Sequence, residues 1–187
     1  MSAQLFVMSA ASGAGKTTLK DHILKHFPQI EYSISATTRP PRPGEENGKH
    51  YFFHSVEDFK KMIANQELVE WNLVHGNYYG TPKQFVADKL EAGISLIFDI
   101  DVFGKPNFDL VYPQAVGLLI LPPNLEVLEE RLRARGSDSE EVIKTRLENA
   151  RKEIEFAHKK GKYEHTIIND DLAKSIEKLS QIISLYL

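Results

Sequence analysis

The chain has 187 residues, 42% of them hydrophobic and 26% charged, which is typical of one compact globular domain and excludes a disordered or fibrous protein. Its 23 Lys and Arg against 26 Asp and Glu give a formal net charge of −3, which argues against a general binder of nucleic acid or anionic membranes. The absence of cysteine excludes disulfides, thiolate catalysis and zinc–sulfur sites, and it favours a cytoplasmic location. No apolar run approaches the roughly 18 residues of a membrane span.

The first predicted unit is a strand, a loop and a helix. Leu5–Met8 is an apolar run typical of a short buried strand. Apolar residues then recur at helical spacing between Lys16 and Phe27, and Pro28 ends that helix. This order predicts the start of an α/β fold.

Residues 32–81 differ in amino-acid composition from the rest of the chain. Tyr32–Ala36 and His50–Phe53 are predicted strands, separated by a segment too rich in proline for regular structure. A helix is predicted to begin at Ser55 and to reach Asn65. The composition indicates an inserted lobe.

An α/β pattern resumes after this lobe. Thr81 as N-cap and Pro82 as the first helical residue predict another helix. Ser95–Ile100 and Ala115–Leu121 are nearly continuous apolar strands. Such strands, separated by helices, predict a parallel sheet covered on both faces.

The C-terminal part is predicted to be mostly helical. One helix spans Leu125 to about Arg135, and a longer one begins near Ser139 and ends at Gly161. A last strand and an amphipathic helix follow. Ser137–Asp138–Ser139 joins the two helices and is expected to act as a flexible joint.

A phosphate-binding loop is predicted between the first strand and the first helix. Residues Ala10–Thr17 satisfy the pattern G-x-x-x-x-G-K-[ST] except at Ala10. Small residues let successive backbone N–H groups turn towards phosphate oxygens, and the start of the helix adds its positive dipole end. In such loops, Lys16 contacts the β- and γ-phosphates and the Thr17 hydroxyl binds Mg²⁺. A chance turn of small residues is the alternative, and the flanking strand and helix disfavour it.

Several further stretches fit one known family. They are Ser9–Thr18, Ser35–Glu45, Gly48–Phe53, Glu70–Trp71, Gly76–Thr81, Asp99–Asp101, Arg135–Glu141 and Ile168–Asp171. In these stretches the chain resembles the guanylate kinases over nearly its whole length. The resemblance implies an α/β fold of the P-loop NTPase type, a parallel sheet flanked by helices, with an inserted mixed α/β lobe and a helical lid. It also implies the Mg²⁺-dependent reaction ATP + GMP → ADP + GDP, and use of dGMP as a second acceptor is expected.

The resemblance also implies a division of the chain and a set of partners. Residues 1–33, 82–126 and 150–187 correspond to the core, 34–81 to the GMP-binding lobe and 127–149 to the lid. The implied partners are ATP and GMP, without nucleic acid or membrane. Association into a homodimer stays open.

Site residues follow from the resemblance, position by position. The ATP phosphates are assigned to Ala11, Ser12, Gly13, Ala14, Gly15, Lys16, Thr17 and Thr18. The GMP phosphate is assigned to Arg39, Arg42, Tyr51 and Tyr79, and the guanine to Ser35, Glu70, Thr81 and Asp101. Arg135 and Arg146 correspond to lid arginines that approach the transferred phosphate, with Arg131 assisting. Asp99, at the end of an apolar strand, is expected to hold Mg²⁺ through water.

The residue types make chemical sense without the resemblance. Arginine forks bind a phosphate dianion with paired donors, and a carboxylate such as Glu70 can accept both adjacent donors of guanine. Adenine would leave that carboxylate unpaired, which discriminates strongly. Two structural alternatives remain at this stage, because Thr81 and Asp101 could each serve as a helix cap.

The chain departs from the family pattern at three positions. Ala10 replaces the first loop glycine, Phe103 stands where glutamine is usual, and Pro106 lies in a normally helical stretch. The last two changes are expected to affect the position of Asp101 and to shorten or delay a helix.

Two other functions are conceivable for such a sequence. A related phosphopeptide-binding module would tolerate a degraded phosphate loop, whereas Gly13, Gly15, Lys16 and Thr17 are intact here. A kinase for a sugar phosphate such as ribose bisphosphate would not need Glu70 and Thr81. Both alternatives are therefore weaker than a GMP kinase.

Overall fold

The computed structural model describes residues 3–74, 76–134, 136 and 138–187. The strands are β1 (Leu5–Ala10), β2 (Ile30–Tyr32), β3 (Ala36–Thr37), β4 (Phe52–Phe53), β5 (Leu68–Val74), β6 (Asn77–Pro82), β7 (Ser95–Asp99), β8 (Val116–Leu121) and β9 (His165–Ile168). The helices are α1 (Lys16–His26), α2 (Val56–Ala64), α3 (Lys83–Glu91), α4 (Lys105–Val111), α5 (Leu125–Ala134), α6 (Glu140–Lys160) and α7 (Leu172–Ser184).

The larger sheet has five parallel strands in the order β2-β7-β1-β8-β9. Alternate residues of β1 enter different hydrophobic clusters, with Phe6 and Met8 in one and Leu5 and Val7 in the other. The first cluster includes residues of α1, α5, α6 and α7, and the second includes residues of α3 and α4. The predicted α/β fold, with a parallel sheet covered on both faces, is therefore confirmed.

The smaller sheet lies within residues 36–82 and has the order β4-β3-β6-β5. It is mixed, because β3 pairs with β4 in parallel and with β6 in antiparallel. Its own small core contains Ala36, Phe59 of α2 and Leu68. This sheet corresponds in sequence to the segment of distinct composition.

The prediction of one strand at Tyr32–Ala36 was wrong. The backbone N–H of Ser33 still donates to Ile97 of the larger sheet, but Ser35 already accepts a bond from Phe52 of the smaller one. The chain therefore passes from one sheet to the other within these residues, which propensity alone does not reveal.

The second predicted strand, His50–Phe53, is shorter than expected. Only Phe52 and Phe53 form β4, because the residues before them turn. Gly48 has a φ of 76°, a left-handed conformation that glycine adopts at little cost, and His50 donates its N–H back to the carbonyl of Glu46.

Other boundaries agree closely with expectation. Ser55 caps α2 by accepting from Asp58, and Ser139 caps α6 by accepting from Val142. Pro106 lies in the first turn of the seven-residue α4, where a missing backbone N–H leaves no helical hydrogen bond unmade. Within the described ranges, no helix is long and apolar enough to cross a membrane.

Candidate active site

The predicted phosphate loop lies at the centre of the sheet's carboxyl edge. β1 pairs with β7 on one side and β8 on the other, so the loop after β1 lies next to the end of β7. Gly13 and Gly15 both have a φ of 91°, a left-handed conformation that side-chain-bearing residues rarely adopt. A Cβ at Gly13 would lie 2.9 Å from a methyl carbon of Leu128. The loop therefore needs glycine for both conformation and space.

Other elements hold the loop from outside. The side-chain amide of Asn169, after β9, donates to the carbonyl of Ala14 at 2.7 Å. The backbone N–H of Ser12 donates to the carboxylate of Glu153 on α6 at 3.0 Å. Sequence reasoning missed both residues as parts of the site, although Asn169 belongs to one of the stretches that carried the family resemblance.

Lys16 and Asp99 form an ion pair at the end of this loop. Lys16 begins α1 and Asp99 ends β7, so the ammonium group and the carboxylate meet where the neighbouring elements meet. Thr17 follows Lys16 in the first turn of α1. The structure thus brings together the predicted lysine and the predicted Mg²⁺-orienting acid.

A cavity of about 210 Å³ opens beside this ion pair. It extends from the larger sheet to the smaller one, and the predicted residues that line it are Lys16, Ser35, Tyr51, Glu70, Tyr79, Asp99 and Asp101. Tyr32, Val74, Gly80 and Ile100 complete the lining and were not predicted. We call it the acceptor cavity.

Glu70 is the buried acid of the acceptor cavity. Glu70 is 7% exposed. Its carboxylate accepts a hydrogen bond of 2.7 Å from the hydroxyl of Thr81, a residue that is 1% exposed. Burial raises the pKa of Glu70 to about 7; the Thr81 hydrogen bond opposes this shift and the negative charge of Asp101 adds to it. Close to neutral pH, this carboxyl group can exist in either protonation state.

The prediction that Thr81 is a helix N-cap was wrong. Thr81 lies in β6, and α3 begins at Lys83 after Pro82 without a side-chain cap. The Lys83 N–H is bonded to the carbonyl of Glu67, which keeps the chain extended to the end of β6. The Thr81 hydroxyl stabilises Glu70 instead.

Asp101 lies in the turn between β7 and α4. One of its oxygens accepts from the N–H groups of Phe103 and Gly104, at 2.8 and 2.9 Å. The other accepts from the side-chain amide of Asn72 at 3.1 Å. A Cβ at Gly104 would lie 2.8 Å from Glu70 Oε2. Asp101 therefore stabilises the turn that precedes α4, whereas the helix itself begins after Gly104 without a side-chain cap, so the expectation that Asp101 caps this helix was wrong. Asp101 also lines the acceptor cavity.

The predicted phosphate-binding arginines lie at one side of this cavity but do not line it. The Arg39 guanidinium donates to the Glu45 carboxylate at 2.8 Å and lies 5.3 Å from the centre of the Tyr51 ring. Arg42 is exposed, and its backbone N–H donates to Glu45. These bonds, with the one from Arg39 dominant, lower the pKa of Glu45 to about 2. Glu45 thus accepts from the guanidinium of Arg39 and from the backbone N–H of Arg42.

The tyrosines of the acceptor cavity form a compact group. Tyr51 and Tyr79 have ring centres 6.1 Å apart, and burial raises the pKa of Tyr51. Burial, with the charge of Asp99, also raises the pKa of Tyr32. Tyr51 and Tyr32 are therefore neutral hydrogen-bond donors at physiological pH.

A second cavity, of about 480 Å³, lies between the phosphate loop and α6, beside the hydrogen bond that joins them. Ser12 lines it from the loop, and Arg146 and Glu153 line it from α6. Arg146 also pairs with Asp138 at 3.4 Å. We call it the donor-side cavity.

Of the other two predicted arginines, the structure describes Arg131 but not Arg135. Arg131 on α5 donates to the carbonyls of Asn169 and Asp170, at 2.7 and 3.0 Å, so it braces the segment that holds the phosphate loop. Arg135 lies outside the described residues, as does Ser137 of the predicted joint. Of the other two joint residues, Asp138 pairs with Arg146 and Ser139 caps α6.

The fold and the two cavities define a phosphate-loop enzyme with a separate site for a small acceptor. The family model for guanylate kinase matches residues 2–186 of the chain. A guanylate kinase of Dechloromonas aromatica is 45% identical over 98% of this chain and 89% of its own length. One of Maricaulis maris is 47% identical over 96% and 81%. The crystal structure of guanylate kinase from Anaplasma phagocytophilum has a TM-score of 0.73 and 30% identity, covering 99% of this chain and 86% of that one.

This chain belongs to the guanylate kinase family.

Proposed function

We propose that the chain transfers the γ-phosphate of ATP to GMP, and also to dGMP, in a Mg²⁺-dependent reaction that yields ADP and GDP. The observation that carries the choice of acceptor is the buried Glu70 carboxylate with its Thr81 partner, in a cavity that also contains Lys16 and Asp99. Guanine presents two adjacent donors to such a carboxylate, whereas adenine presents an acceptor and leaves it unpaired.

The ATP phosphates bind the loop residues Ala11 to Thr18 in this proposal. Two left-handed glycines and the start of α1 support the assignment, because they turn backbone N–H groups towards one point. Lys16 exchanges its bond with Asp99 for phosphate oxygens when ATP binds.

The phosphate of GMP binds Arg39, Arg42, Tyr51 and Tyr79. The contact of Arg39 with Glu45 supports this assignment, since a carboxylate and a phosphate are recognised by the same paired donors. Binding therefore replaces Glu45 by the substrate phosphate.

Guanine binds Glu70, Asp101 and Ser35. Thr81 was expected to donate to the base, but its hydroxyl proton is directed to Glu70. We therefore assign Thr81 to positioning Glu70, with its lone pairs still available to accept a hydrogen bond.

Magnesium fits the residues at the loop. The Thr17 hydroxyl and the Asp99 carboxylate are oxygen ligands of the kind that Mg²⁺ prefers, and Mg²⁺ is usually held by few protein ligands together with substrate phosphates and water. When bound, it would neutralise the charge that develops on the phosphates.

Catalysis then consists mainly of positioning and charge stabilisation. The attacking atom is an anionic phosphate oxygen of GMP, so no general base is needed. Lys16, Arg146 and Arg135 supply positive charge to the transferred phosphate, and Arg131 assists by bracing the loop. We further propose the division into core, GMP-binding lobe (34–81) and lid (127–149), and a cytoplasmic location.

One assay tests the proposal. Purified protein is incubated with ATP, Mg²⁺ and, separately, GMP, dGMP, AMP, UMP or ribose bisphosphate, and ADP release is followed. We expect GMP to be preferred over AMP by about 10²-fold or more in kcat/KM. Comparable turnover of AMP would contradict the role of Glu70, and preference for ribose bisphosphate would favour the sugar-phosphate alternative.

A further inference from the structure

One face of α6 lines the donor-side cavity and also contacts the turn that carries Asp101. Arg146 and Glu153 line the donor-side cavity, and Phe156 follows three residues later. Residues at these spacings share one face of a helix. Along this face, α6 makes two specific contacts with the substrate-binding machinery.

The first contact holds the phosphate loop. The Ser12 N–H donates to Glu153 Oε2 at 3.0 Å, at the loop position just before Gly13. Burial raises the pKa of Glu153, and the hydrogen bond from Ser12 opposes that shift. Because its backbone N–H is used in this way, Ser12 contacts a phosphate through its side-chain hydroxyl in the proposed function. The carboxylate of Glu153 therefore fixes the loop at the residue before Gly13.

The second contact holds the turn that carries Asp101. The ring centres of Phe103 and Phe156 are 4.8 Å apart, with an interplanar angle of 56°. Phe103 remains 42% exposed with Phe156 against it, so Phe156 provides a fixed partner for an aromatic ring that partly faces solvent. The N–H of Phe103 donates to Asp101, and the next residue, Gly104, lies against Glu70.

The aromatic pair also explains a departure from the family pattern. Phe103 stands where glutamine is usual, and its ring is used to dock the turn on α6. Val102 and Ala157, the neighbours of these two residues in sequence, are buried in the same small cluster. The turn is thus attached to α6 by apolar packing on two adjacent residues.

We propose that Glu153 and Phe156 are positioning residues, the first for the ATP-binding loop and the second for the guanine-binding acids. The proposal rests on the function proposed above. One face of α6 thus positions both substrates relative to each other. Glu153 acts on the loop that binds ATP, and Phe156 acts on the turn that carries the guanine-binding acids.

The test compares Glu153→Ala with Phe156→Ala. Loss of the charge-assisted hydrogen bond in Glu153→Ala should raise KM for ATP roughly ten-fold and leave KM for GMP within about two-fold. Loss of the aromatic contact in Phe156→Ala should raise KM for GMP roughly three- to ten-fold with little effect on ATP. Glu153→Gln keeps an oxygen acceptor for Ser12 and should stay close to wild type.

Calorimetric dissociation constants for ADP and GMP provide a readout besides turnover. They should show the same selectivity: weaker ADP binding in Glu153→Ala and weaker GMP binding in Phe156→Ala. Glu155→Ala is the matched control for the acid, because Glu155 lies on the same helix and pairs with Lys159 in solvent. Leu185→Ala, at a residue that is 78% exposed, controls for loss of an apolar side chain.

The outcomes separate this inference from the function itself. A wild type that does not phosphorylate GMP refutes the proposed function, and the dissociation constants still decide the roles of Glu153 and Phe156. Tighter ATP or ADP binding in Glu153→Ala would show a carboxylate that competes with phosphate, and would overturn its positioning role. Parallel changes in both substrates, or no change, would overturn the proposal as well. If an alanine variant does not fold, Glu153→Asp or Phe156→Leu replaces it under the same criteria.

Discussion

The phosphate loop and the acceptor cavity are built in opposite ways. The loop is one continuous segment, and its shape comes from backbone conformation at Gly13 and Gly15. The acceptor cavity takes side chains from β5, β6, the segment after β2 and the turn after β7. In the proposed function, the first site recognises an anion that many nucleotides share, whereas the second distinguishes one base from another.

This difference predicts different responses to substitution. The hydrogen-bond donors of a backbone cradle belong to no side chain, whereas the charge of the neighbouring lysine can be removed by one substitution. In the acceptor cavity, each side chain contributes a separable part of recognition. The following predictions would break or sharpen this contrast.

The largest effect is expected for Lys16→Ala. Loss of its positive charge at the transferred phosphate should lower kcat by about 10³-fold. GMP binding, measured by calorimetry, should weaken by less than about ten-fold, although Lys16 also borders the acceptor cavity. Lys25→Ala, at an exposed position of the same helix, is the control. A loss of GMP binding as large as the loss of turnover would contradict the separation of the two sites.

Glu70→Gln should damage the acceptor site selectively. The amide presents a donor where guanine also presents a donor, so KM for GMP should rise by about 10²-fold while KM for ATP stays within about two-fold. The preference for GMP over AMP should fall in parallel. Glu67→Gln changes an exposed acid of the same lobe and should have no effect. An unchanged preference in Glu70→Gln would remove this residue from base recognition.

The stability of the unliganded protein should depend on pH through Glu70. Its pKa is about 7 in the fold, above the usual value near 4.5, so the folded state binds more protons than the unfolded state between these values. The free energy of unfolding contributed by this group therefore falls as pH rises from about 4.5 to 7. Relative to Glu70→Gln, wild type should lose about 2 kcal/mol between pH 5 and pH 8.

Denaturant unfolding of both proteins at several pH values measures this difference. Other titrating groups cancel in the comparison, because only residue 70 changes. A difference in unfolding free energy that is constant with pH would mean that Glu70 ionises normally in the fold.

A smaller effect is expected at Thr81. Thr81→Val keeps the shape of the side chain but removes the hydrogen bond to Glu70, so KM for GMP should rise by about ten-fold. Thr81→Ser retains the hydroxyl and should restore most of the affinity. A serine variant as defective as the valine variant would contradict this role, because serine keeps the hydroxyl that donates to Glu70.

Much of the site could be predicted from sequence where the information is local. Loop glycines, the following lysine and the flanking strand and helix are contiguous, so the pattern at Ala10–Thr17 predicted the loop and its position in the fold. The alternation of apolar strands and helices likewise predicted a parallel sheet covered on both faces. In these cases, backbone conformation and hydrophobic periodicity act over a few residues.

The tertiary structure alone decided how distant side chains pair. Thr81 fits a helix cap by sequence, but the extended chain of β6 places its hydroxyl against the buried Glu70 eleven residues away. Glu153 and Ser12 are 141 residues apart, and no local pattern could indicate their contact. A buried carboxylate requires a hydrogen-bond donor, and an exposed aromatic ring is stabilised by packing against another apolar side chain. Only the packing of β5, β6 and α6 determines which residues supply that donor and that side chain.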